Sequence, residues 1–280
     1  MARWAILAEC TQSNHKGVDM TETIFFIHGM WGGAWYWENY RRFFENQGYR
    51  CVATTLRHHD MDPRGVPDPR LGTTGLLDYA ADLEQEIREL NVKPILMGHS
   101  MGGLLSQMLA ERGLAKAIVL VTPAPPSGNW MCLKPSVVRS FWSIQMKWGF
   151  WKKPMLPKFD AAVYSMLHLL PPDEQKETYE KFVYESGRAM FEIGYWLLDS
   201  NGAAKVDASK VACPVLVVAG AEDRASPPSV ARPIAERYKS VSTYKEFEGQ
   251  AHWMVAEPGW QEVAEYIEAW LSNCALAEDG

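Results

Sequence analysis

The chain has 280 residues, of which 47% are hydrophobic and 22% charged, and its formal net charge is −6 at pH 7. This composition is ordinary for a globular protein, and no stretch reaches the roughly 18 uninterrupted apolar residues that a membrane span requires. Because no block of lysine or arginine supplies a basic footprint, we expect no nucleic-acid partner. Because no apolar stretch is long enough to span a membrane, we expect no membrane partner.

The cysteines and the first residues indicate a cytoplasmic protein. An odd number of widely spaced cysteines fits neither a disulfide framework nor a zinc pattern. The cysteines are Cys10, Cys51, Cys132, Cys213 and Cys274. Residues 1–19 contain a short apolar run that Glu9 interrupts, and no A-x-A cleavage pattern follows. We therefore predict a disordered leader rather than a signal peptide.

Short apolar runs alternate with helical segments along most of the chain. Strands are predicted at 23–27, 51–56, 94–97, 117–121, 214–219 and 242–247. Helical spacing follows the first strand, and further helices are predicted at 74–90, after residue 100 and at 258–271. Continuous apolar strands separated by helices are typical of a mostly parallel sheet that helices cover on both faces. The predicted fold class is α/β.

One segment departs from this alternation. Residues 123–210 have helical, aromatic-rich sequence without alternating strands, and they lie between the fourth and fifth predicted strands. The tryptophans of this segment include Trp130, Trp142, Trp148, Trp151 and Trp196. We predict a helical cap over 123–210, inserted into a core formed by 20–122 and 211–280.

The sequence GHSMGG, residues 98–103, joins the third strand to the following helix. It fits GxSxG, a pattern in which glycines permit a turn so sharp that the serine takes a strained conformation above the sheet. Ser100 is therefore the candidate nucleophile. The next amide, that of Met101, opens a helix, where partial positive charge favours a developing oxyanion.

A serine hydroxyl needs a base, and the base needs an orienting carboxylate. Asp223 follows the fifth strand directly, at the carboxyl end of the sheet, with Glu222 as its rival. The segment after the fourth strand, TPAPPSG, has no carboxylate. His252 follows the last strand in GQAHW, so the order Ser100, Asp223, His252 is the one expected for this turn.

The loop after the first strand, HGMWGG, is the expected source of a second oxyanion donor. We assign this donor to the Met30 amide, with the Trp31 amide as the alternative. His28 is expected to brace the loop, and His99 is expected to be structural or to line a pocket. Trp31 and Trp253 flank the oxyanion loop and the base, so we predict that both contact substrate.

Patterns for a metal or a dinucleotide are missing from the sequence. His58, His59 and Asp60 are adjacent, but no third ligand stands at a recognisable spacing. GMWGG after the first strand does not match GxGxxG, and GxxxxGK[ST] does not occur. We predict neither a metal site nor a dinucleotide site.

The motifs HGMWGG, GHSMGG, GAEDRASPP and GQAHWMVAEP occur in this order within residues 22–274. With these motifs the chain resembles the α/β-hydrolase superfamily, in particular its capped serine carboxylesterases and lactonases. The resemblance implies acyl transfer through Ser100, His252 and Asp223 and no requirement for a cofactor. Dehalogenases and epoxide hydrolases of this superfamily carry aspartate in place of Ser100, which argues against both activities.

The tryptophan-rich cap suggests a bulky hydrophobic ester or lactone as substrate. Esterases that open macrolide lactones are one candidate subclass. Lyases, cofactor-free oxygenases and slow ligand receptors of the same superfamily also keep this triad, so they remain alternatives. We expect a monomer or a homodimer.

Overall fold

The computed structural model of the protein describes residues 22–129 and 134–278. The predicted leader, Cys10, Trp130 and Cys132 lie outside the described residues. The cysteines Cys51, Cys213 and Cys274 are free thiols.

A six-stranded parallel sheet forms the centre of the fold, with strand order β2-β1-β3-β4-β7-β8. Its strands are β1 Thr23–Ile27, β2 Arg50–Ala53, β3 Ile95–His99, β4 Ala117–Val121, β7 Val215–Gly220 and β8 Ser242–Phe247. Every residue of β1, β3, β4 and β7 is buried. Because successive side chains point to opposite faces, both faces of these strands are covered, which confirms the predicted α/β class.

The helices cover this sheet and form much of residues 123–210, the segment that we call the cap. They are α1 Glu38–Asn46, α2 Leu76–Glu89, α3 Met101–Glu111, α4 Pro135–Gln145, α5 Phe159–Ala162, α6 Pro172–Glu180, α7 Gly187–Gly194, α8 Pro228–Arg237 and α9 Trp260–Glu278. Helix α3 packs on β3 and β4, α8 packs on β7 and β8, and α1 contacts both β2 and α9. The helices α4 to α7 lie within the predicted cap.

Two strand ends differ from the prediction by two residues or more. Strand β2 ends at Ala53 rather than at residue 56, because the Leu56 amide turns away from the sheet to donate to the His28 ring, 3.0 Å away. Strand β3 continues through His99, which pairs with Val121 of β4. The sheet therefore holds the chain in register up to the residue before Ser100.

The cap contains a pair of short antiparallel strands, β5 Pro154–Met155 and β6 Glu185–Ser186, which the sequence did not predict. Two-residue strands are too short to show a period of two. Glu185 joins this pair to the core, because its carboxylate lies 3.0 Å from His59 Nε2 and accepts a hydrogen bond from Tyr79 at 2.8 Å. Although burial opposes protonation, the Glu185 carboxylate raises the pKa of His59.

Candidate active site

Ser100 lies in a strained turn between β3 and α3. Its φ of +53° and ψ of −116° fall in a region that residues other than glycine rarely adopt. The backbone crowds this turn, since a Cβ on Gly98 would lie 2.2 Å from the Gly102 carbonyl oxygen and one on Gly102 would lie 2.1 Å from the Ile27 carbonyl oxygen. The two glycines of GxSxG are therefore required by close backbone contacts.

His252 and Asp223 form a buried pair on the loops that follow β8 and β7. The distance from His252 Nδ1 to Asp223 Oδ2 is 2.8 Å, and the two residues are 3% and 4% exposed. The other carboxylate oxygen of Asp223 accepts hydrogen bonds from the backbone amides of Ala225 and Ser226, both at 2.8 Å. Glu222 is exposed, so the geometry selects Asp223 as the partner of His252.

Ser100 and His252 line the same cavity. Among the described residues, Ser100 Oγ makes no hydrogen bond to His252. Catalytic hydrogen bonds are often long without substrate and shorten when substrate binds. The structure therefore brings Ser100 to the same cavity as a buried imidazole–carboxylate pair, which are the groups that a serine nucleophile needs.

Backbone amides beside Ser100 are free to stabilise an oxyanion. Met101 is the first residue of α3, so its amide has no acceptor within the helix. The Met30 and Trp31 amides have no hydrogen-bond acceptor among the described residues. The Tyr36 hydroxyl donates to the Met30 carbonyl at 2.7 Å and fixes this loop. Met30 lines the cavity and Trp31 does not, which favours Met30 as the second donor.

Trp31 and Trp253, which the sequence predicts to contact substrate, are both buried and do not line the cavity. Trp31 is 3% exposed, stacks on Phe141 at 6.2 Å between ring centroids, and donates its indole N–H to the Met155 carbonyl. Trp253 is 2% exposed and packs edge-on against Tyr36 at 4.6 Å. Both rings pack against neighbouring aromatic side chains between core and cap, and these contacts occupy their faces.

The cavity has a volume of about 320 Å³, and most of its wall comes from apolar side chains of the cap. The residues from α4, α7 and their ends include Val137, Val138, Phe141, Trp142, Ile144, Gln145, Met190, Ile193 and Tyr195. The cavity residues on α4 recur at helical spacing. Periodicity alone does not show whether the apolar face of a helix packs against other side chains or lines a cavity. The sequence therefore predicted the cap without identifying these residues.

His28 and His99 brace the site as neutral side chains. His28 Nδ1 donates to the Gly29 carbonyl at 2.7 Å, and burial together with the nearby His59 lowers its pKa to about 3. His99 Nε2 donates to the His252 carbonyl at 2.8 Å, and burial keeps its pKa well below the usual value. His99 therefore holds the backbone of the candidate base.

Glu257, which the sequence did not single out, supports the loop that carries His252. Its side chain is fully buried and accepts a hydrogen bond from the Ala251 amide, while its own amide donates to the Trp253 carbonyl at 2.9 Å. Burial, with a smaller contribution from the charge of Asp223, raises the pKa of Glu257 from 4.5 to about 8. The folded protein thus binds a proton that the unfolded chain releases.

We expect Glu257→Gln to change how stability depends on pH. Because the folded state binds more protons than the unfolded state between the two pKa values, wild-type stability falls as pH rises from about 5 to about 8, relative to the variant. Urea unfolding of both proteins across this range measures the difference. Glu248→Gln, at an exposed glutamate, should follow wild type. Parallel pH profiles for wild type and Glu257→Gln would mean that Glu257 is ionised when folded.

Neither a membrane-spanning helix nor a metal cluster is found in the part of the chain that the structure describes. No helix there is long and apolar enough to cross a membrane. No group of three or more histidine, cysteine, aspartate or glutamate side chains there could hold a metal ion.

Comparison with known proteins relates the chain to enzymes. It is 29% identical over 108 residues to methylesterase 10 of Arabidopsis thaliana, a match that spans 39% of this chain and only 38% of that protein. It is 24% identical over 254 residues to a non-heme chloroperoxidase of Streptomyces lividans, covering 83% of this chain and 86% of that protein. The crystal structure of a second Arabidopsis methylesterase superposes with a TM-score of 0.66 at 14% identity, covering 90% of this chain and 99% of the other.

A family model extends over most of the chain. The model of the alpha/beta hydrolase family matches residues 24–266, which include the turn at Ser100 and the loops of Asp223 and His252. The parallel sheet and the turn at Ser100 agree with this match. The chain therefore belongs to the alpha/beta hydrolase family.

Proposed function

We propose that the protein is a serine esterase that hydrolyses carboxylic esters or lactones with a hydrophobic acyl or alkyl group. The observation that carries this proposal is the buried Asp223–His252 pair beside Ser100 at the wall of an apolar cavity. The names of the methylesterases among its relatives support the same reaction type. No cofactor enters the proposed reaction.

The geometry supports acyl transfer in two steps. His252 removes the proton of Ser100 as Oγ attacks the ester carbonyl, and the oxyanion accepts hydrogen bonds from the Met101 and Met30 amides. The tetrahedral intermediate collapses, and His252 gives its proton to the leaving alcohol. Water, deprotonated by the same histidine, then attacks the acyl-enzyme, the acid leaves, and His252 returns the proton to Ser100 Oγ. Asp223 holds the imidazole in orientation and stabilises its charged form.

Cavity size and lining favour a substrate with one apolar chain or ring system. Ligand cavities usually measure about 300–1,000 Å³, so a cavity of about 320 Å³ is at the small end. Its wall carries Val138, Phe141 and Ile193 and few polar groups. A macrolide lactone is the largest candidate of this class, and it belongs in a substrate panel beside p-nitrophenyl esters of increasing acyl length.

We expect Ile193→Trp to shorten the range of acyl groups that the enzyme accepts. Ile193 lines the cavity from α7 and is 9% exposed, so the larger ring would project into the cavity. Turnover of long-chain p-nitrophenyl esters should fall by about tenfold or more, whereas acetate turnover should change by less than about threefold. Initial rates across the acyl series measure this split.

Leu77→Trp provides the control, because Leu77 is 46% exposed on α2 and does not line the cavity. It should leave the acyl-length profile unchanged. If Ile193→Trp lost turnover equally on p-nitrophenyl acetate and on long-chain esters, with an unchanged melting temperature, the acyl group would bind elsewhere.

The likeness to a chloroperoxidase gives a second candidate, a non-hydrolytic reaction at the same site. A lyase or a cofactor-free oxygenase would use His252 as a base without an acyl-enzyme. Release of aldehyde, or consumption of oxygen, from compounds that carry no ester would favour this candidate. Steady ester turnover by wild type with neither of these products favours the esterase.

A further inference from the structure

Large apolar side chains are exposed around one part of the cap. We call this set the rim patch: Trp142, Met146, Trp148, Leu197 and Leu198. Their exposed fractions are 55%, 64%, 86%, 62% and 71% in that order. Elsewhere, exposed large apolar residues such as Val66, Leu77 and Val92 lie in separate segments of the core. A concentration of this kind marks an interaction surface rather than ordinary surface variation.

The rim patch borders the mouth of the cavity. Trp142 and Gln145 of α4 line the cavity, and so does Tyr195, which directly precedes the segment that carries Leu197 and Leu198. A Cβ on Gly194, the last residue of α7, would lie 4.0 Å from Gln145 Nε2. The end of α4 and the end of α7 therefore lie next to each other at this opening. An apolar molecule held by the rim patch would lie beside the route to Ser100.

Three residues of the rim patch, Trp142, Met146 and Trp148, lie in a positively charged stretch of an acidic protein. Residues 134–158 carry six basic side chains and no acidic one, whereas the whole chain has a net charge of −6. The six are Lys134, Arg139, Lys147, Lys152, Lys153 and Lys158. None of them forms a salt bridge with a described residue. By contrast, arginines of the core such as Arg57 and Arg112 pair with neighbouring carboxylates.

We propose that the rim patch docks on the surface of a lipid bilayer that contains anionic headgroups. Tryptophan and leucine side chains enter the boundary between headgroups and acyl chains, and lysines beside them are attracted to anionic lipids. This proposal replaces the expectation that the chain has no membrane partner. It rests on the proposed function in one respect only: if the protein is an esterase, hydrophobic esters would reach Ser100 from the bilayer.

Charge argues for lipid over a second copy of the chain. A symmetric dimer through the rim patch would bring together two copies of the lysines next to Trp148, which include Lys147 and Lys153, and like charges oppose that contact. An anionic bilayer instead supplies both the negative charge and the apolar layer. Self-association through the rim patch is therefore an outcome that the experiment must be able to detect.

Co-sedimentation with vesicles tests the proposal without using catalysis. Wild type should sediment with phosphatidylcholine vesicles that contain about 30 mol % phosphatidylglycerol, and binding should weaken with neutral vesicles or with added salt. The double variant Trp148→Ser and Leu198→Ser should bind anionic vesicles at least about tenfold more weakly. The double variant Lys147→Glu and Lys152→Glu should lose the preference for anionic vesicles. Neither pair lines the cavity, so p-nitrophenyl acetate turnover should remain at the wild-type rate.

The double variant Val66→Ser and Leu77→Ser, at exposed apolar positions outside the cap, should bind vesicles as wild type does. Equal vesicle binding by wild type and by the Trp148→Ser and Leu198→Ser variant would overturn the proposal. The proposal would also be overturned if sedimentation velocity showed that wild type is a dimer and that the Trp148→Ser and Leu198→Ser variant is a monomer. Because binding is the readout, loss of the proposed esterase activity and failure of membrane docking give separate results.

Discussion

Ser100→Ala is expected to lower kcat/KM for a p-nitrophenyl ester by at least about 10⁴-fold while leaving the fold intact. Alanine removes the oxygen that forms the acyl-enzyme but keeps Asp223 and His252 in place. Loss of the nucleophile of a triad abolishes covalent catalysis, and the residual rate reflects binding and oxyanion stabilisation. Initial-rate measurements with purified wild type and variant give the ratio.

The matched control is Ser272→Ala, at an exposed serine of α9 whose hydroxyl donates to Glu268. It should keep wild-type kcat/KM. Circular dichroism and the melting temperature are the checks that Ser100→Ala is folded. A folded Ser100→Ala protein with more than about a tenth of wild-type kcat/KM would exclude Ser100 as nucleophile.

Gly102→Ala is expected to destabilise the fold by about 3 kcal/mol and to reduce ester turnover with it. The added methyl group would lie 2.1 Å from the Ile27 carbonyl oxygen and 2.7 Å from that of His28. Both contacts are to backbone, which cannot rotate away, so β1 and α3 must separate. This displacement also moves the oxyanion loop away from Ser100. Urea unfolding measures the loss of stability.

Gly194→Ala is the matched control for stability, because its Cβ would have a nearest contact of 4.0 Å, to the flexible end of Gln145. Its unfolding free energy should stay within about 1 kcal/mol of wild type. Equal stability of Gly102→Ala and wild type would show that α3 and β1 have room for a side chain at the turn, contrary to the structure.

The core of the fold and the placement of Ser100, Asp223 and His252 at one edge of the sheet could be predicted from the sequence because their signals are local. Strand β4 is a continuous apolar run. GHSMGG is a local turn in which Gly98 and Gly102 lie against backbone carbonyl groups of the turn and of β1. Asp223 and His252 each follow a strand, and strands of a parallel sheet bring their carboxyl ends to one edge. The order along the chain thus translates directly into proximity in space.

The remaining features depend on packing that the sequence does not specify. Trp31 and Trp253 flank the predicted site in sequence, yet neighbouring rings bury both of them away from the cavity. Glu257 resembles any glutamate before a helix, and only its burial behind the His252 loop distinguishes it. The His59–Glu185 pair joins residues 126 positions apart. Each of these depends on the path of the cap over the core.

Covalent labelling tests directly whether Ser100 is a nucleophile that His252 activates. Wild type is treated with a fluorophosphonate, and intact mass spectrometry with peptide mapping locates the adduct. We expect one adduct per chain, on the peptide that contains Ser100, with no labelling of Ser100→Ala and strongly slowed labelling of His252→Gln. An unlabelled wild-type protein, or an adduct that persists in Ser100→Ala, would contradict this expectation.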